Sequence, residues 1–254
     1  MSFISGLGNY RDRILTGAAL ISAVVIISII NEPYLMWLVI GIMYMTAFYE
    51  ANQLFGVENN SLYVYALLMW VAVLFYPYPD DLLFIGGLVF ASISAYSNRG
   101  EWKHFLPFMY PTAGFLFLFT LYREYQIEAL IWLTVIVVAT DIGAFIVGKS
   151  IGKHPFSPTS PNKTIEGVVG GVVIATILGF LVGVTIVDIE KSVIISLLVA
   201  VASVFGDLFE SLLKRRAGVK DSGNILPGHG GILDRIDGFL FSSVALVILL
   251  RGLT

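Results

Sequence analysis

Cysteine is absent from this chain of 254 residues, and charged residues make up only 13% of it. The first absence excludes disulfide scaffolds, thiolate zinc sites and cysteine nucleophiles. Soluble domains carry about 25% charged and 45–50% apolar residues, whereas this chain is 57% hydrophobic with a mean hydropathy of +0.86. The net charge of -3 gives no electrostatic basis for binding nucleic acid. The composition therefore predicts an integral membrane protein with no nucleic-acid partner.

Nine apolar runs are long enough, or nearly long enough, to cross a bilayer. A hydrocarbon core about 30 Å thick needs roughly 20 mostly apolar residues per helix. The runs lack the alternation of apolar and polar residues that marks membrane β-strands. The sequence therefore predicts an all-α, polytopic integral membrane protein with about nine transmembrane helices, at residues 14–30, 34–55, 62–76, 82–97, 105–122, 126–148, 167–187, 192–213 and 236–252.

The positive charges predict the orientation of these spans. With nine spans, 12 of the 15 Lys and Arg residues fall on the side of the N-terminus, and only Arg123, Lys191 and Arg251 fall on the other side. Cytoplasmic loops of membrane proteins carry such an excess of Lys and Arg. The N-terminus is therefore predicted to lie in the cytoplasm.

The two parts of the chain differ in kind. Residues 1–130 are apolar spans joined by short loops, with Glu50 as the one group of chemical interest. They are predicted to be a scaffold that could carry dimer contacts. In residues 131–254 the polar residues gather in two stretches, 149–166 and 214–235, on the predicted cytoplasmic side. This part is predicted to be the catalytic domain, with its site facing the cytoplasm.

Acidic residues lie within the predicted spans of the second part. Asp141 is near the cytoplasmic end of the sixth span, and the eighth span contains Asp207. A carboxylate at membrane depth is costly and usually faces a polar interior, where it marks a function. The alternative is a helix-end carboxylate at the interface that pairs with a lysine. Helical spacing predicts a polar stripe along the eighth span, lining a water-accessible cavity, formed by Ser203, Asp207, Glu210, Ser211 and Lys214.

The first polar stretch is basic, is interrupted by Gly and Pro, and ends at a helix start. Thr164 is predicted to cap that helix, with Glu166 in its first turn. Lysines and open backbone amides at such a start suit an anionic phosphate. The alternative is a basic loop on anionic lipid headgroups. The helix that follows has a small residue at every fourth position, which predicts close packing against another helix, at Gly167, Gly171, Ala175, Gly179 and Gly183.

The second polar stretch is the most informative. Residues 211–237 hold five cations, three aspartates and a Gly-His-Gly-Gly turn around His229. Asp234 and Asp237 are three residues apart and would share a helix face. Oxygen ligands without cysteine favour a hard ion such as Mg²⁺. Cations beside metal-binding carboxylates suit phosphoryl or nucleotidyl transfer. A solvated charged loop is the alternative.

Residues 211–237 resemble the signature of the phosphatidate cytidylyltransferases, or CDP-diacylglycerol synthases. The signature reads Ser-x-Leu-Lys-Arg, then after four residues Lys-Asp-x-Gly/Ser, then Leu-Pro-x-His-Gly-Gly-x-x-Asp-Arg-x-Asp, and the chain matches it throughout. Residues 160–167 resemble the family's Ser-Pro-Lys-Lys-Thr-x-Glu-Gly, with Asn162 in place of one lysine. The likeness is strong over residues 140–240.

The resemblance implies a nine-span, homodimeric, multi-pass enzyme of the cytoplasmic (inner) cell membrane. Such an enzyme converts phosphatidate and CTP into CDP-diacylglycerol and pyrophosphate, with membrane lipids around it. The resemblance also implies a need for Mg²⁺ and a contribution from K⁺, with the two ions at Asp207 and Asp234.

On this hypothesis, each predicted site residue has a role. The metal ligands are Asp141, Asp207, Asp234 and Asp237. The catalytic residues are Asp207, Lys214, His229, Asp234, Arg235 and Asp237. The substrate-binding residues are Asp141, Asn162, Lys163, Thr164, Glu166, Ser211, Arg215, Lys220 and Asp221.

Two other hypotheses stay open. One is a CTP-dependent polyprenol or phytol kinase, whose hydroxyl acceptor would need a base. The other is a cation-coupled transporter that uses Asp141, Asp207 and Glu210 as ion ligands near the bilayer centre.

Overall fold

The computed structural model describes residues 17–19, 22–98 and 101–253. Residues 22–30 are helical, and a 3-10 turn occupies Trp102–Phe105. An antiparallel hairpin is formed by β1 (Pro155–Ser157) and β2 (Ser160–Thr164). The remaining helices are α1 (Pro33–Phe55), α2 (Ser61–Phe75), α3 (Asp81–Ser97), α4 (Leu106–Met109), α5 (Thr112–Ile151), α6 (Ile165–Gly183), α7 (Ile189–Arg216) and α8 (Leu233–Leu253).

The helices are long and apolar enough for a membrane protein. Five stretches of the described chain qualify as spans, namely Pro33–Phe55, Trp102–Ile151, Ile165–Gly183, Ile189–Arg216 and Leu233–Leu253. The shorter apolar helices α2 and α3 coincide with the third and fourth predicted spans. Helix α5 is interrupted at Gln126, whose φ of 61° and ψ of -167° are not helical, and this break falls at the first residue of the sixth predicted span. The all-α polytopic fold is confirmed, while the number of nine spans stays a prediction.

Some predictions lie outside the described residues. Part of the first predicted span does so, and so do Arg11, Arg13 and Arg99, which contribute to the predicted charge asymmetry. The β-hairpin was not predicted, because its strands are short and each of them contains a proline.

Helix α6 packs closely against the second part of α5. A β-carbon on Gly171 would lie 2.5 Å from the carbonyl oxygen of Thr140, and one on Gly143 would lie 3.0 Å from the Cα of Gly171. Backbones can approach this closely only where side chains are absent or very small. The predicted packing seam is confirmed, since the buried residues of α6 are Gly167, Gly171, Ala175, Gly179 and Gly183.

Aromatic side chains fix α1 against α2. Trp37 Nε1 donates to the carbonyl of Trp70 at 3.0 Å, and Trp70 Nε1 donates to the carbonyl of Trp37 at 3.2 Å. Gly41 leaves room for the indole of Trp70, which a β-carbon would meet. Tyr44 is buried one turn further along. This packing holds α1 in the interior, so that its C-terminal part carries Glu50 toward α8.

An ion cluster ties the end of α8 to the loop before α3. Arg251 donates to Asp80 at 2.6 and 3.1 Å and also pairs with Glu124. Thr120 donates to Asp80 Oδ1 at 3.1 Å. Burial alone would raise the pKa of Asp80, but the hydrogen bonds and the charge of Arg251 outweigh it and hold this pKa below its ordinary value. This clamp joins three segments that are far apart in sequence.

Candidate active site

Lysines from the two polar stretches meet carboxylates of α7 and α8. Lys163, on β2, is hydrogen-bonded to Asp207. Lys214, in the last turn of α7, lies 2.5 Å from Glu210 Oε2 and 2.6 Å from Asp234 Oδ1. The Glu210 side chain is 0% exposed and that of Asp234 is 5% exposed. The polar stripe predicted on α7 therefore carries paired, inward-facing charges, while the water-accessible cavity along it stays a prediction.

The hairpin fixes the backbone on which Lys163 sits. Its strands pair Pro155 with Thr164 across the sheet. Thr164 Oγ1 then accepts a hydrogen bond from the amide of Gly167 at 3.2 Å, which confirms the predicted helix cap. Lys163 is consequently held at the junction of a strand and a capped helix.

Glu166 also stabilises this junction. Its Oε2 accepts hydrogen bonds from the amides of Lys153 and His154 at 3.1 and 3.3 Å, and its Oε1 lies 2.5 Å from Nδ1 of His154. Its carboxylate is thus engaged by the loop that precedes β1. The substrate-binding role predicted for Glu166 stays a prediction.

Asp234 accepts several hydrogen bonds besides its pairing with Lys214. Its Oδ2 accepts from the amide of Ser222 at 2.9 Å, from the amide of Gly231 at 2.8 Å and from the Ser222 hydroxyl at 3.0 Å. The residue lies in the first turn of α8, where the helix dipole favours a negative charge. The fold therefore fixes this carboxylate from three directions.

A tight turn presents His229. The amide of Leu226 donates to the carbonyl of Gly230 at 2.9 Å, and Gly228 and Gly230 have φ values of 72° and 80°. These values lie in the left-handed region that glycine adopts without strain. Arg235 Nε donates to the carbonyl of His229 at 3.0 Å, which ties the turn to α8.

Three aspartates in this region repel one another. Asp237 is repelled by Asp207 and Asp141, while Lys163 and Arg235 offset part of the charge at Asp141. An accumulation of carboxylates of this kind attracts cations. Within the described part of the chain, the side chain of Asp237 accepts one hydrogen bond, from the amide of the next residue, Gly238, at 2.8 Å.

The other predicted site residues are less constrained. Ser211 donates to Asp207 Oδ1 at 3.3 Å and so belongs to the cluster. Four predicted substrate-binding residues are exposed, namely Asn162, Arg215, Lys220 and Asp221. Their proposed contacts with substrate stay predictions.

Among the described residues of the first part of the chain, two with polar side chains reach the site and were not among the predicted site residues. Glu50 is buried and bonded to the start of α8, and its sequence signal was a lone carboxylate in an apolar span. Tyr110 is buried between the rings of Phe209 and Phe241, at centroid distances of 5.0 and 6.3 Å. Within the described chain its hydroxyl has no hydrogen-bond partner. Nothing distinguished Tyr110 from the other aromatic residues in the sequence.

The donor chemistry of the cluster fits a hard divalent ion. The predicted ligands Asp141, Asp207, Asp234 and Asp237 offer oxygen alone, which suits Mg²⁺. Among the residues that the structure describes, no three acidic or histidine side chains converge in a metal-binding arrangement. Mg²⁺ commonly needs fewer, because it keeps several waters and binds through one or two carboxylates plus substrate phosphates. The residues therefore fit an ion that is shared with a phosphate.

The fold and the site define a polytopic membrane protein with an ionic, oxygen-rich site between its helices. The model of the cytidylyltransferase family matches residues 11–253. The phosphatidate cytidylyltransferase of Helicobacter pylori (strain J99) is 46% identical over 243 residues, which cover 94% of this chain and 91% of that protein. The phosphatidate cytidylyltransferase of Thermotoga maritima is 34% identical over 256 residues, covering 92% and 94%. That of Bacillus subtilis is 48% identical over 131 residues, covering 50% and 49%.

The chain belongs to the cytidylyltransferase family, a family of nucleotidyltransferases. The resemblance predicted from residues 211–237 is thereby confirmed.

Proposed function

We propose that the protein transfers the cytidylyl group of CTP to phosphatidate, forming CDP-diacylglycerol and pyrophosphate. A phosphate oxygen of phosphatidate bonds to the α-phosphorus of CTP, and the bond from that phosphorus to the oxygen shared with the β-phosphate breaks. The attacking phosphate is already an oxyanion near neutral pH, because the second pKa of a phosphate monoester is about 6. No side chain therefore has to remove a proton. Relatives named phosphatidate cytidylyltransferase that cover over nine-tenths of the chain support this proposal.

The observation that carries the proposal is the pairing of two lysines with the carboxylates. Lys163 pairs with Asp207, and Lys214 pairs with Asp234. Each of the two polar stretches therefore contributes a cation to the interior site. Two polyanionic substrates must be screened from each other and aligned before they react. A phosphate that replaces the carboxylate at either lysine would keep a charge-assisted hydrogen bond. The two lysines are therefore held by carboxylates in the absence of substrate and bind phosphates when substrate is present.

The predicted metal ligands complete this site. Asp141, Asp207, Asp234 and Asp237 would hold Mg²⁺, with K⁺ as a second ion. When bound, Mg²⁺ offsets phosphate charge and stabilises the departing pyrophosphate. The chain's own cations align the two substrates, and His229 orients a phosphate oxygen or a water at the glycine-rich turn. The phosphate-binding residues in this proposal are Lys163, Lys214, Arg215, Lys220 and Arg235.

The site is proposed to face the cytoplasm from the cytoplasmic (inner) membrane, where CTP is available. The excess of Lys and Arg on the side of the polar stretches supports this orientation. The position of Arg251, in a clamp with Asp80 and Glu124, agrees with its assignment to the opposite side. A homodimer is proposed from the resemblance alone.

Radiolabelled CTP distinguishes this function from its alternatives. The detergent-purified protein, given Mg²⁺ and phosphatidate, should move label from the α-phosphate of CTP into lipid. Asp207→Asn and Asp234→Asn should each keep less than about a tenth of the turnover, whereas Asp188→Asn, at an exposed helix cap, should keep all of it. Transfer of the γ-phosphate to a lipid alcohol would establish the kinase instead. Absence of both transfers, with ion-driven flux in proteoliposomes, would establish the transporter.

A further inference from the structure

Glu50 is a buried carboxylate to which the proposed reaction gives no task. Its exposed fraction is 1%. Its Oε1 accepts a hydrogen bond from the amide of Ile232 at 3.0 Å, and its Oε2 accepts from the amide of Leu233 at 2.8 Å and from the Ser222 hydroxyl at 3.0 Å. All three donors belong to the second polar stretch or to the start of α8. A residue of α1 is therefore built into the segment that carries the signature.

The signature segment folds closely around this carboxylate. A β-carbon on Gly223 would lie 2.5 Å from Glu50 Oε1, and one on Gly231 would meet the oxygens of both Glu50 and Ser222. A side chain at either position would have to displace the carboxylate of Glu50. Two glycines of this segment therefore lie in close contact with a side chain of α1.

A shared hydroxyl connects Glu50 to the ionic site. Ser222 Oγ lies 3.0 Å from Glu50 Oε2 and also 3.0 Å from Asp234 Oδ2. A serine hydroxyl has a single hydrogen to donate, so the two carboxylates compete for it and their positions are interdependent. Asp234 is in turn paired with Lys214 at 2.6 Å.

We propose that Glu50 is a positioning residue, which holds residues 222–233 in the conformation that fixes Asp234 against Lys214. It touches no substrate and acts through Ser222 and through the amides at the start of α8. A carboxylate is required because the amides of Ile232 and Leu233 donate to different oxygens of the side chain. In Glu50→Gln, the side-chain amide would turn an NH₂ group toward one of them and leave a buried donor unsatisfied. The kinetic part of this inference rests on the proposed function, but its structural part does not.

Hydrogen–deuterium exchange tests the structural part on the full-length protein in detergent. In Glu50→Gln, the amide of Ile232 or that of Leu233 should exchange at least about tenfold faster than in the wild type, since the NH₂ group replaces the oxygen that accepts from one of them. Glu32→Gln is a matched control, because Glu32 also caps a helix, through the amide of Leu35 at 2.9 Å. The control should leave exchange at residues 222–233 unchanged.

The Mg²⁺ requirement tests the kinetic part. The half-saturating Mg²⁺ concentration for cytidylyl transfer should rise about 10- to 100-fold in Glu50→Gln. Metal affinity falls by about this factor when a residue that is hydrogen-bonded to a metal ligand is replaced. A loss of folded protein alone would lower the maximal rate and leave this concentration unchanged. Ser222→Ala should move it in the same direction, and the double variant should show less than the sum of the two effects, because both act along one path.

Each outcome decides the proposal. Wild-type exchange at Ile232 and Leu233 in Glu50→Gln would overturn it, and so would fully additive effects of the two substitutions. Should Glu50→Gln fail to fold, an unchanged Mg²⁺ requirement in Ser222→Ala would refute the connection to Asp234. A wild-type protein without cytidylyl transfer would refute the proposed function, and the exchange measurement would still decide the role of Glu50.

Discussion

Removing the Lys214 ammonium should destabilise the protein more than any exposed ion pair does. Lys214→Met keeps much of the side-chain volume but leaves Glu210 and Asp234 without their cation. The side chains of Lys214, Glu210 and Asp234 are 14%, 0% and 5% exposed. Breaking a buried pair by removing one partner costs about 3–5 kcal/mol. Because Lys214 keeps some solvent contact, we expect the free energy of unfolding to fall by about 3 kcal/mol.

Unfolding in mixed detergent micelles measures this loss, and Lys191→Met provides the control. Lys191 pairs with Asp188 at 3.3 Å, and these side chains are 37% and 81% exposed, so the control should lose about 1 kcal/mol at most. Adding Glu210→Gln to Lys214→Met should restore part of the stability, because it removes a buried negative charge, but it should not restore turnover. Equal losses in Lys214→Met and Lys191→Met would show that the pair is not buried in the protein.

Three further predictions concern the clamp, the seam and the hairpin. The pKa of Asp80 is lower in the folded protein than in the unfolded chain. Its contribution to stability is therefore present above its ordinary pKa of about 3.9 and is lost as the pH falls through the lower folded value. In Asp80→Asn, the free energy of unfolding should depend less on pH in this acid range. Gly171→Leu should abolish the folded protein in size-exclusion chromatography, whereas Gly252→Ala, with open space where its β-carbon would lie, should elute normally. Lys163→Glu should raise the KM for CTP, and unchanged kinetics would reassign the first polar stretch to lipid headgroups.

The helices and the local signals were predictable because their causes lie within a few residues. The cap at Thr164 needs only the amide three residues on. The seam of α6 follows from a repeat of four residues, and the approach of Lys214 to Glu210 follows from their spacing on one helix. In each case helix geometry alone sets the distance.

The remainder of the site depends on contacts between residues that are distant in the chain. Lys163 meets Asp207 across 44 positions and Glu50 meets Leu233 across 183. No local sequence pattern predicts a contact between residues so far apart in the chain. A single sequence also does not identify the hydrogen-bond partner of an isolated carboxylate in an apolar helix. The burial of Glu50 was the missing information, because only the folded structure shows that an interior carboxylate has hydrogen-bond donors on another helix.

The seam between α5 and α6 also bears on how quickly the site can open. The backbones of α5 and α6 are in contact at Gly143 and Gly171, so one helix cannot slide past the other without a steric clash. The hairpin packs against both helices. Lys163 and Asp207 can therefore separate by rotation of their own side chains, without a shift of either helix. Rotations of exposed side chains take picoseconds to nanoseconds, whereas shifts of whole helices take microseconds or longer. Exchange of a carboxylate for a phosphate at Lys163 should thus be far faster than a turnover, and the slow step of the cycle has to be sought elsewhere in the molecule.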